Sequence, residues 1–204
     1  MTYSDFEERL ESLIQKLSTE DRTTLMVRLL VFLKLNVIDY YLNCKNCIGD
    51  PRGRNLMDHL TSGQKKYLDT LEQMAPYLPE ELENDYVEMS RLMVPLETVD
   101  IPGISVMARR PVEPAEGDVL LELSNEPEVE DAEPTEPLED EEYLLGSIEQ
   151  KGWELKMIQK LSGCIHDNTC GEVFSKIIEE ERQNMELLVS NYNYLRNNGK
   201  WPEP

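Results

Sequence analysis

Histidine is nearly missing from this chain of 204 residues; His59 and His166 are all it has. Any histidine ligand or general base has to come from one of these two positions. Aromatic residues are also few, at 7%, so a core has to be built mainly from aliphatic side chains, and a hydrophobic content of 40% is enough for one. Basic residues are outnumbered, 20 against 41 acidic ones, for a net charge of −21. That balance argues against nucleic acid or an anionic membrane as a partner, since both need clustered Lys and Arg. A long uncharged apolar run is lacking too. The most apolar stretch, Leu25 to Leu42, contains Arg28, Lys34, Asn36 and Asp39, each costly at mid-bilayer. It reads as a buried helix and not as a membrane span. The polar first residues do not read as a secretory signal, so a cytoplasmic, reducing setting is the expectation for the four cysteines.

What is present is helical periodicity. Residues 4–17 carry Phe6, Leu10, Leu13, Ile14 and Leu17 at helical steps, which predicts an N-terminal amphipathic helix. A second helix is expected from about Glu20 to Lys45, and a Gly- and Pro-containing turn follows Cys47. A third is expected from about Asn55 to Met74, and a shorter one over residues 80–93, opened by Pro79 and ended by Pro95. From residue 94 to 140 the composition changes to an acidic, proline-punctuated segment. Between Glu113 and Glu142 there are 14 acidic residues and no Lys or Arg. Such a stretch buries too little apolar surface to offset the entropy of ordering it. It reads as a tether, or as a patch for a basic partner surface. A fifth helix is expected over 141–162, then a turn carrying Cys164 to Cys170, then a final long helix. The organisation is thus 1–93, a linker over 94–140, and 141–204, with the two outer parts making one joint bundle.

An offset of 117 sets the two outer parts in register without a gap. Cys47-Ile48-Gly49-Asp50 falls on Cys164-Ile165-His166-Asp167, Gln64 to Leu71 falls on Glu181 to Leu188, and Tyr77-Leu78 on Tyr194-Leu195. Turn meets turn and helix meets helix. Two helical hairpins joined by a long connection describe an all-α four-helix bundle with one crossover.

The last helix is the most distinctive. Phe174 to Trp201 carries Phe174, Ile177, Ile178, Met185, Leu188, Tyr192 and Leu195 at three- and four-residue steps, and Gly199 stops it. Glu179-Glu180-Glu181-Arg182 interrupts the apolar stripe. This stretch resembles the last bundle helix of rubrerythrin-like proteins in the ferritin-like superfamily, where a Glu-Glu-Glu-Arg run precedes a ligand histidine. The resemblance is specific for residues 144–201 and reaches the first half through the repeat. It implies a ferritin-like four-helix bundle and, in the family's active members, a diiron centre. That centre takes one Glu from each of two helices and a Glu-x-x-His from each of the other two.

Carried over residue by residue, the ligand positions of the second half are Glu149, Glu181 and Asn184. The offset turns these into Phe32, Gln64 and Tyr67 in the first half. Two carboxylates stand where four are expected, and Asn184 and Tyr67 hold the histidine places. Gln64, Asn184 and Tyr67 suit hydrogen bonds to inward carboxylates, and Phe32 fills volume. The first expectation is a non-catalytic binding or scaffold bundle with a decayed metal site, without a cofactor. A protein partner, or a second copy through the apolar surfaces of the helices at 4–17 and 20–45, is then expected. The second is an oxidoreductase or peroxidase of the rubrerythrin type with iron or manganese at Glu149 and Glu181. The third is an adaptor holding zinc through Cys44, Cys47, Cys164 and Cys170. A long crossover places the two cysteine-bearing turns at opposite ends of the bundle and speaks against such a joint site.

Overall fold

In a computed structural model the described residues are 3–75, 77–93 and 139–202. All their regular structure is helical: α1 (Tyr3–Ile14), α2 (Thr19–Cys47), α3 (Pro51–Lys65), α4 (Leu68–Met74), a 3₁₀ turn (Glu80–Leu82), α5 (Glu83–Met93), α6 (Asp140–Ser162) and α7 (Asn168–Asn198). The acidic segment lies outside the described residues, apart from its last two, Glu139 and Asp140.

The ends of these helices follow from their local chemistry. Ser18 opens α2 by accepting the Asp21 N–H at 3.1 Å, with Glu20 and Asp21 facing the positive end of the helix dipole. Asp50 caps α3 by accepting the Arg52 N–H at 2.8 Å, and Pro51 occupies the first turn, where its missing N–H is harmless. Asp167 caps α7 in the same way, accepting the Cys170 N–H at 2.8 Å. Asp50 and Asp167 are related by the offset of 117, so the repeat is expressed as a repeated helix start. Gly199 ends α7 at φ 64°, a left-handed conformation that glycine adopts without steric cost.

One expected helix is different. The stretch anticipated as a single helix over 55–74 begins at Pro51 and is interrupted at Lys66–Tyr67. Tyr67 relaxes to φ −100°, ψ −9°, and its hydroxyl donates to Glu180 Oε1 of α7 at 2.7 Å. Composition carries no mark of this break, because the contact that accompanies it comes from the far end of the chain.

The helices pack as two hairpins, α2 with α3 and α6 with α7, joined mainly along α2 and α6, while α4 and α5 pack on α2 and α1 packs on α5. One end of the bundle holds the α2–α3 turn, the start of α6 and the end of α7. There Asp140 accepts the backbone N–H groups of Gly49 at 2.9 Å and Asp50 at 3.2 Å, together with the Trp201 indole N–H at 2.8 Å. Arg52 donates to the Trp201 carbonyl at 2.9 Å. The α6–α7 turn lies at the other end, where Lys160, four residues before Cys164, pairs with Glu7 of α1 at 3.0 Å. Helices α2 and α7 therefore run one way along the bundle and α3 and α6 the other.

Candidate functional site

The core is apolar from Phe6 through Leu25, Leu29, Leu60 and Leu144 to Phe174 and Leu188. Four charges interrupt it at mid-height. Lys34 of α2, Lys151 and Glu154 of α6, and Glu181 of α7 are buried, at 0%, 0%, 0% and 2% exposure. Lysine and glutamate are almost never buried to this degree unless paired, because the cost of desolvating them is large. Here each lysine meets both carboxylates. Lys34 Nζ lies 2.9 Å from Glu154 Oε1 and also bonds Glu181 Oε1. Lys151 Nζ lies 2.6 Å from Glu154 Oε2 and 2.5 Å from Glu181 Oε2. The result is a closed ring of alternating charges with no net charge.

Two amides complete the ring. Gln64 Nε2 of α3 donates to both Glu181 oxygens at 3.0 Å, and Asn184 Nδ2 donates to Glu181 Oε2 at 3.2 Å. Glu181 thus accepts from four side chains on all four bundle helices. Burial pushes its carboxyl pKa up, but Lys34 and Lys151 outweigh burial and bring it down to about 2. Burial likewise lowers the Lys151 pKa, and Glu154 and Glu181 more than reverse this, so it ends above its ordinary value. Tyr41 lies fully buried beside them, its ring centroid 5.3 Å from Lys151 Nζ. Its hydroxyl has no hydrogen-bond partner among the described residues, and burial with the two nearby carboxylates raises its pKa well above the usual phenol range.

The positions carried over from the family divide sharply. Glu181, Gln64 and Asn184 do come together. Glu149 does not: it is exposed on the outside of α6, and the inward carboxylate of that helix is Glu154, five residues on. The inward stripe of α6 runs through Tyr143, Ser147, Gln150, Lys151, Glu154, Met157 and Leu161, and position 149 falls off it. Phe32 packs half-buried at the rim with its ring 6.4 Å from Tyr86, and Tyr67 is turned to Glu180. Both histidines are exposed. Lys34 and Lys151 were missed as site residues, although the offset of 117 pairs them and Lys34 was visible as a charge inside an apolar run.

This residue set does not fit a metal pair. A dinuclear centre needs several anionic oxygens to balance two dications. Both carboxylates here are already neutralised by ammonium groups, whose positive charge repels a cation. Among the described residues no group of three or more His, Cys, Asp or Glu is placed to hold a metal ion. The cysteines do not supply one either. Cys44 and Cys47 sit at the Asp140–Trp201 end, and Cys164 and Cys170 at the opposite end, so a joint four-thiolate zinc site is not formed within the chain. Burial raises the thiol pKa of Cys44 to about 11, and burial with neighbouring Asp167 raises that of Cys170 to about 11, which keeps both protonated.

Comparison with family models, with curated proteins and with solved structures gives no match to this chain.

Proposed function

We propose that this chain is a non-catalytic binding or scaffold protein of ferritin-like architecture, in which lysine ammoniums stand in place of a metal pair. Two observations support the architecture. The bundle helices run up, down, down and up in chain order, as a long crossover between two hairpins requires. The family's last-helix pattern also puts Glu181 at the bundle centre, where Gln64, its partner under the repeat, bonds it at 3.0 Å.

The charge ring is the observation that carries the non-catalytic reading. Its two ammonium groups and two carboxylates are engaged with one another, its net charge is zero, and the four side chains are buried. None of these four charged groups is left to bind or polarise a substrate. Function then falls to the surface, where Leu35 and Leu42 stand exposed one heptad apart on α2 and the acidic run supplies dense negative charge. A protein partner with a basic face, or a second copy of the chain, suits such a surface.

The deciding experiment is metal analysis of protein produced with iron and manganese in excess. The expected result is far less than one metal ion per chain and no metal-dependent consumption of hydrogen peroxide. A bound iron or manganese pair would overturn the reading and restore the rubrerythrin-type oxidoreductase.

A further inference from the structure

The repeat and the charge ring together say something that neither says alone. The offset of 117 relates Lys34 to Lys151, Val37 to Glu154, Gln64 to Glu181 and Tyr67 to Asn184. Each hairpin therefore carries the inward lysine, whereas both carboxylates belong to the second hairpin. At mid-height the first hairpin brings a positive charge and the second a compensating excess of negative charge.

Two similar hairpins on a long tether have several ways to pair. The connection spans residues 94–138, so a hairpin from another copy competes with the chain's own. A first hairpin against another first hairpin would bury two lysines with no carboxylate. A second against another second would bury four carboxylates against two lysines. Only a first against a second closes the neutral ring seen here. A buried unpaired charge is strongly unfavourable, so the like pairings are penalised far more than the apolar surroundings alone would penalise them. Single polar residues in otherwise apolar helix interfaces fix partner choice in the same way.

We propose that Lys34, Lys151, Glu154 and Glu181 form a pairing code that admits a first hairpin only against a second one and rejects a like hairpin from another copy. The code acts on assembly and does not depend on whether the bundle is ferritin-like. It makes the ring a device for uniqueness, not a source of net stability, in keeping with the near-neutral balance of buried ion pairs against apolar replacements.

Two sets of full-length variants test this by size-exclusion chromatography with light scattering and by thermal melting. In the first, Lys34→Met, Lys151→Met, Glu154→Leu and Glu181→Leu are combined, which erases the code and keeps the volume. The expected product is helical and elutes as several species of different mass, where the natural chain gives one. A single species of the natural mass would overturn the proposal. The second set reverses the charges and decides the matter should the apolar variant fail to fold. Lys34→Glu alters the first hairpin alone, and Lys151→Glu with Glu154→Lys and Glu181→Lys alters the second alone. Each is expected to lower the melting temperature by more than about 10 °C and to broaden the elution profile. All four substitutions together restore the alternation, and Gln64 offers the new lysine its Oε1, which has no partner among the described residues. The combined variant is expected to recover most of the loss and to elute as one species. A combined variant no better than the worse parent would sink the code.

Discussion

At the scale of single residues the chain is governed by Glu181. It is held by Lys34, Lys151, Gln64 and Asn184, so removing any one lysine leaves a buried carboxylate short of a counter-charge. Lys151→Met is expected to cost about 3–5 kcal/mol in chemical denaturation, the range seen when one partner of a buried pair is deleted. The pH dependence has a definite sign. The Glu181 carboxyl pKa is lowered on folding from 4.5 to about 2. Its contribution is therefore fully present above pH 4.5 and is lost as pH falls toward 2. Circular dichroism melts across that window should show stability falling steadily with acid. Glu154→Gln retains Glu181 and should keep an acid limb, whereas Glu181→Gln should lose much of it. At the alkaline end the Tyr40 and Tyr41 phenols have raised pKa values, chiefly from burial. Folding keeps them neutral, so stability is lost as pH rises past the ordinary phenol range. Ultraviolet titration should show these two ionising only together with unfolding.

At the scale of elements the decisive feature is the clasp at one end of the bundle. Trp201, buried beyond the left-handed Gly199, docks on α3 and bonds Asp140 at the first turn of α6. Gly53 of α3 makes room for it. A Cβ there would stand 2.4 Å from the indole ring and 2.6 Å from the Ile48 side chain. Gly53→Ala should therefore displace Trp201 and destabilise by about 1–3 kcal/mol, with a red shift of tryptophan fluorescence. Helix propensity alone favours alanine over glycine by up to about 1 kcal/mol, so a stabilised variant would show that the clasp contributes nothing. Gly199→Ala meets no neighbouring atom and is opposed only by its φ of 64°, so it should cost about 1 kcal/mol without a fluorescence change.

At the scale of the whole molecule the run of the helices decides what the cysteines can do. The opposite directions of α2 and α6 put Cys44 and Cys47 at one end and Cys164 and Cys170 at the other. A strong zinc chelator should leave the melting temperature unchanged. A fall of several degrees would mean that thiolates are drawn together in a way this packing does not provide. The same directions place the mid-points of α2, α3, α6 and α7 around one spot, which is why the charges meet there.

Much of this was legible in the residues alone. Periodicity marked the helices, Gly199 marked the last stop, and the offset of 117 paired Gln64 with Glu181, whereas the start of α3 at Pro51 lies four residues before the one expected at Asn55. The periodicity and the stop are local signals and the offset is a match between two stretches of the chain, so all three survive without knowledge of packing. The chemistry of the centre was not legible. Glu149 and Glu154 are both acidic residues on one helix, and only the rotation of α6 against α2 and α7 turns the second inward. Lys34 reads only as a charge inside an apolar run and Lys151 carries no mark at all, because a buried lysine makes physical sense only once its two carboxylates are in place. The sequence by itself determined helices, hairpins and their repeat; tertiary packing decided that the charges inside them neutralise one another.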